Sequence, residues 1–203
     1  MKRIAATVFP ALAIAVATCA SAQASRPSAD VLARLPDPAN ATANAIAVKV
    51  PDVPPALRPA EGSRLVLQVH AIGVQIYECA QAANGAWEWQ FRGPEATLFD
   101  ARNAKVGDHG AGPFWRLEDG SRIVGQAKAS SPSPTAGAIP WLLLTVKSRS
   151  GTGGLDPVDA VQRINTVGGV APSAQECVAA ATGRTVRIDY TADYLFWGST
   201  PSR

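Results

Sequence analysis

The groups in this 203-residue chain with the types and spacing for chemistry are few: two histidines, three cysteines, and isolated polar residues on otherwise apolar segments. His109 opens the stretch His109-Gly110-Ala111-Gly112-Pro113-Phe114-Trp115. The glycines and proline make a rigid loop that other groups can approach closely, and Trp115 supplies a flat apolar wall. An imidazole there stands where a pocket residue would stand; equally, it can bond a neighbouring turn while Trp115 packs in the core. Gln75 and Tyr77 share one face of a strand with Cys79, because side chains alternate with a period of two. If that face is interior, their polar ends need partners, which are either a ligand or backbone groups near the cysteine. Arg163 and Asn165 fall on one face of a later strand, just before Gly168-Gly169, a pair that permits tight backbone. Arg163 can clamp a carboxylate with two parallel hydrogen bonds, or it can pair with Glu78, Glu95 or Asp119. Together Gln75, Tyr77, His109, Trp115, Arg163 and Asn165 are the candidate ligand-binding residues.

Cys79 and Cys177 are expected to form a disulfide, since two thiols in an exported chain usually do. The loop closed is close to a hundred residues, for which chain entropy gives roughly 4–5 kcal/mol at the upper end. The competing reading makes Cys177 a nucleophile at a helix start, its thiol acidified by the helix dipole, with His109 as base.

The patterns of other chemistries are missing. No HExxH or CxxC is present, so no metal site is expected. No GxxxxGK[ST] or GxSxG occurs, and no cofactor is implied. Asp119-Gly120 reads as a turn without the alternating acids of a calcium loop. Neighbouring acids such as Glu118-Asp119 point to opposite strand faces and make a poor glycosidase pair.

The elements that must position these residues begin after a leader. Lys2-Arg3, an apolar run from Ile4 to about Ala17, and Ser21-Ala22-Gln23-Ala24 have the form of a signal peptide, residues 1–24, cut near Ala24. The apolar run is short and contains Pro10, so no membrane span is expected. Lipid anchoring at Cys19 is the minor alternative. Losing Lys2 and Arg3 lowers the basic count from 19 to 17 against 16 acids, a net charge near +1. Such a charge carries no footprint for nucleic acid or an anionic membrane. Secretion or a periplasmic location follows.

Residues 25–59 read as an extended Pro-rich arm, with a short helical turn capped by Ser28 and a sequon at Asn40. The remaining domain, 60–200, reads as mainly β. Period-two segments start at Arg64, Val74 and Trp87 and recur at Ala96–Phe99, Phe114–Leu117, Arg122–Ala127, Trp141–Lys147, Val158–Asn165 and Thr185–Tyr190. Turn signals at Asn84-Gly85, Asp119-Gly120, 131–137 and 150–154 separate them. This spacing predicts an antiparallel β-sandwich or barrel-like domain. One short helix near 173–182 is expected, since Ser173 and Glu176 have the spacing of a capping box and Gly183 can close it.

Val53-Pro54-Pro55-Ala56-Leu57, Gly73 to Cys79, Pro94 to Phe99, His109 to Trp115, Asp119-Gly120-Ser121, Gln162 to Gly169 and Tyr190 to Tyr194 occur in that order along the chain. Together these segments resemble an uncharacterised exported family, domain of unknown function 3455. It implies an exported single domain and assigns no catalytic residue. Near-neutral charge with aromatic strands suits a non-enzymatic binding or envelope-associated module for a small-molecule or glycan-like ligand. Two alternatives stay open: a hydrolase using His109 with Tyr77 or an acidic residue, and a purely structural surface protein.

Overall fold

The computed structural model describes residues 52–199. The expected signal peptide, Cys19, the Ser28 turn, the sequon and the arm as far as Pro51 lie outside the described residues.

Eight strands follow one another: β1 Arg64–Gln81, β2 Trp87–Phe99, β3 Lys105–Gly110, β4 Phe114–Leu117, β5 Arg122–Ser131, β6 Trp141–Ser150, β7 Ala160–Gly168 and β8 Thr185–Gly198. Each pairs antiparallel with its neighbours in sequence, and β8 returns to β1, so the sheet closes into a barrel. Of the two architectures the strand spacing allows, this is the one that leaves no open edge. β1 makes closure possible. It is 18 residues long and pairs along nearly its whole length with β2 on one side and β8 on the other. Its residues Val69, Ala71, Gln75, Tyr77 and Cys79 are buried in period two and face the interior. The strand runs straight through Gly73, where an added Cβ would lie 2.1 Å from the Glu95 carbonyl oxygen of β2; only glycine allows that approach.

Three local expectations are corrected. First, His109 and Gly110 end a strand, β3, and do not belong to the loop expected with Gly112 and Pro113. Gly107, Asp108 and Gly110 are poor strand formers, and pairing with β2 and β4 overrides them. Second, Trp87–Phe91 and Ala96–Phe99 form one strand through a bulge. Ile76 faces Gly93 and Tyr77 faces Phe91, leaving Arg92 as the extra residue. Third, 173–182 holds no α-helix, only two 3-10 turns, Ala174–Glu176 and Ala179–Ala181. The capping box does not form: the Ser173 hydroxyl turns to the Gln175 side chain instead. The disulfide binds Cys177 to β1 in an extended conformation (φ −101°, ψ 99°), and a helix cannot propagate through it.

Two apolar clusters hold the barrel. The interior one includes Leu98, Trp115, Ile123, Leu155, Val161 and Phe196. The second lies on the outer wall, where Val53 and Leu57 cover Trp141, Leu143, Ile164, Leu195 and Trp197. There Gln162 Nε2 donates to the Leu57 carbonyl (2.6 Å), and Trp197 Nε1 donates to Gln162 Oε1 (2.7 Å). This covering explains why the last third of β8 is buried on both faces.

The two ends of the barrel differ. Loops 118–121 and 151–159 meet at one. The Asp119 carboxylate accepts from Ser121 N, Ser121 Oγ and Gly154 N at 2.6–2.8 Å, while Ser121 Oγ accepts from Leu155 N at 3.3 Å. Those bonds seat Leu155 and Val158 in the interior as a plug. The turns 82–86 and 111–113 and the loops 132–140 and 169–184 meet at the opposite end.

Candidate functional site

Near that second end a cavity of about 370 Å³ enters the barrel between β2, the 111–113 turn, β5 and β6. Phe91, Gly93, Pro113 and Ala127 are among its outer lining, and His109, Trp115, Leu142, Leu144, Arg163 and Tyr194 are among its inner lining. Close packing at Gly93, which lines the cavity, and at Gly110, which does not, requires glycine. A Cβ at Gly93 would lie 2.5 Å from the Ala111 Cβ, and one at Gly110 would lie 2.4 Å from the Phe114 ring.

His109 and Trp115 lie opposite each other in the β3–β4 hairpin, so their rings stack, 4.7 Å between centroids and 17° between planes. Tyr194 tilts against both, at 4.8 and 5.4 Å. His109 Nδ1 is 2.7 Å from the Phe114 carbonyl oxygen. A carbonyl only accepts, so Nδ1 carries the proton, and the neutral ring keeps Nε2 as a free acceptor. Burial lowers the imidazole pKa to about 3, the bond to Phe114 opposes the shift, and the charge of Arg163 adds to it.

Arg163 reaches the interior from β7, opposite Leu142 of β6 and Tyr194 of β8. Its Nε and Nη2 donate to the Pro140 carbonyl at 3.2 and 2.8 Å. None of the carboxylates considered for it is its partner. Glu78 pairs with Arg92, Glu95 pairs with Arg187, and Asp119 is consumed at the plug.

Gln75 and Tyr77 face the interior as their spacing implies. The Tyr77 hydroxyl donates to the Gly169 carbonyl at 2.7 Å, and burial raises its pKa. Gly169 presses on this wall: a Cβ there would lie 3.0 Å from Gln75 Cγ and 2.9 Å from Tyr190 Cβ. Gln75 Nε2, Trp115 Nε1 and the hydroxyls of Tyr190 and Tyr194 are buried without a hydrogen-bond partner. The two tyrosine hydroxyls lie near each other, and Tyr194 also lies near Arg163. Burial raises the pKa of both.

Asn165 is not part of this group. A bulge between Ile164 and Val167, with Asn165 at φ 50°, turns its side chain outward. There its amide donates to Asp193 Oδ2 (2.8 Å), while Asp193 Oδ1 meets His70 Nδ1 (2.8 Å). The expectation that Arg163 and Asn165 share a face is therefore corrected. Cys177 is bonded to Cys79, with 5.3 Å between their Cα atoms, so it is no nucleophile. His109 and Tyr77 each bond a backbone carbonyl and not each other. Trp89 is taken up by the Ser173 carbonyl and by Arg184.

Tyr190, Tyr194 and Leu142 were missed from the sequence. The period Tyr190, Ala192, Tyr194, Phe196 continues past the point where the strand was expected to end, and it was the available signal.

Fold and site together define a closed eight-stranded meander barrel, bolted by one disulfide, with a mixed aromatic and polar cavity near one end. The chain belongs to the family described as Protein of unknown function (DUF3455), whose profile matches residues 59–198. No curated protein and no solved structure matches it significantly.

Among the described residues no group of three or more His, Cys, Asp or Glu could hold a metal ion, and no helix is long and apolar enough to cross a membrane.

Proposed function

We propose that this is an exported, non-enzymatic binding protein that takes one small molecule into the open cavity of its barrel. The supporting observation is the cavity itself. Its volume of about 370 Å³ lies in the range of small-molecule sites, and its apolar wall carries a few polar groups without protein partners. Eight-stranded barrels have interiors just wide enough to be filled by side chains or to hold one small ligand. Here one end is filled and the other is not. The size favours a small molecule or a single sugar ring over a glycan chain, since Trp89 is already engaged by Ser173 and Arg184. Export is supported by the leader pattern of residues 1–24 and by the Cys79–Cys177 disulfide.

Ala127 is exposed and lines the cavity, so Ala127→Trp obstructs the mouth without touching the core. A ligand-observed NMR screen of a small-molecule library is expected to give compounds that bind the wild type and are lost on Ala127→Trp. Hits that bind both proteins alike, or no hits, would overturn the reading.

A further inference from the structure

Two full charges line the cavity, Arg92 and Arg163, and no acidic residue does. Arg92 is neutralised by Glu78 at 3.0 Å. Arg163 has no ion pair among the described residues, and two of its five N–H donors are held by the Pro140 carbonyl. That anchorage fixes the guanidinium plane, and no carboxylate is paired with it. A half-buried cation without a counter-ion is costly, and a bound anion relieves the cost. The remaining polar inventory is skewed the same way. Trp115 and Tyr194 are among the lining residues, and behind that lining Trp115 Nε1–H, the Tyr194 hydroxyl and Gln75 Nε2 are buried without a hydrogen-bond partner. His109 Nε2 is an acceptor on the same wall, and the Tyr194 hydroxyl can accept as well as donate. A cationic ligand would face Arg163 directly, and a neutral one would leave the guanidinium as it is. A carboxylate has only acceptors and fits a guanidinium fork with two parallel hydrogen bonds. The rest of the wall, Leu142, Leu144 and the Trp115 ring among it, suits an apolar body.

We infer that the ligand is a small organic anion, an aromatic or branched apolar carboxylate whose acid group is received by Arg163. The inference rests on the cavity being the binding site.

The test uses two isosteric probes, 2-naphthoate and 2-naphthamide, titrated into the disulfide-bonded protein. Expected are naphthoate affinity about tenfold above naphthamide in the wild type, and loss of that preference in Arg163→Gln. A second readout needs no variant of Arg163: the indole N–H resonance assigned through Trp115→Phe should shift with naphthoate more than with naphthamide. Equal affinity of the two probes in the wild type, or a preference that survives Arg163→Gln, overturns the anion inference. If in that case Ala127→Trp still abolishes binding, the cavity remains the binding site. If neither probe binds, or Ala127→Trp changes nothing, the cavity reading falls as well.

Discussion

The two ends of the barrel are built from the same strands and satisfy their polar groups in opposite ways. At the plugged end each oxygen of Asp119 accepts hydrogen bonds, Ser121 Oγ both donates and accepts, and Leu155 is buried behind them. In the rest of the interior an amide, an indole N–H and two phenols go unmet, and a guanidinium lacks a carboxylate. A fifth unmet group, Trp141 Nε1, lies on the outer wall under Val53 and Leu57. Native interiors leave few buried polar groups unpaired. Of these residues Trp115, Tyr194 and Arg163 line the cavity, while Gln75 and Tyr190 do not. One end satisfies its polar groups within the fold, and the other leaves several of them unmet.

The largest expected effect comes from unbolting the open end. Cys79→Ser with Cys177→Ser should lower unfolding free energy by up to about 4–5 kcal/mol, read from guanidinium midpoints, because the bridge spans 98 residues. An equal loss of hydrogen-exchange protection at Gly154 and Leu155 and in 169–184 would show one cooperative unit and would remove the distinction between the ends.

Next is the plug. Leu155→Ala should cost about 3 kcal/mol, as deletion of a fully buried leucine does, whereas Leu142→Ala, beside existing empty space, should cost about 1 kcal/mol or less. Similar values for the two would break the comparison.

The ends should also separate by pH. His109 has its pKa depressed by burial, so below about 6.5 the unfolded chain takes up a proton that the folded chain refuses. Stability is then full above that value and falls as pH falls, by about 2 kcal/mol between pH 6.5 and 5. His109→Asn, which keeps a donor for the Phe114 carbonyl, should remove most of that slope in denaturation series at the two pH values. Asp119 is held below the usual carboxylate range by the Gly154 N–H and then by Ser121, so its contribution is present above about 3.8 and lost only in stronger acid.

The smallest effect has the opposite sign. Tyr194→Phe removes a buried hydroxyl that has no partner and should stabilise the protein by about 1 kcal/mol, measured by thermal or chemical unfolding. Destabilisation would mean that the hydroxyl is satisfied within the fold.

Much of this was legible before any coordinates. Alternation placed Gln75, Tyr77 and Cys79 on one buried face, because a pleated strand permits nothing else once one of them is interior. Asn84-Gly85 marked its hairpin, since its backbone geometry is local: Gly85 takes φ 83° and Asn84 Oδ1 accepts from Ala86 N. The β class and the pairing of the two cysteines were legible for similar reasons of period and compartment.

Other features depended on partners far away in sequence. His109 belongs to a strand because β2 and β4 flank it, in spite of its glycines. Residues 173–182 cannot form the helix their capping residues favour, because Cys177 is tied to β1. One bulge sends Asn165 outward while Arg163 stays inside, and no period-two reading registers a residue inserted out of step. Above all, closure of β8 on β1 brings His109, Trp115, Arg163 and Tyr194 around one cavity. Alternation states which side of a strand a residue faces. What it faces is set by how the sheet curls, and that is decided by contacts between strands that no local stretch encodes.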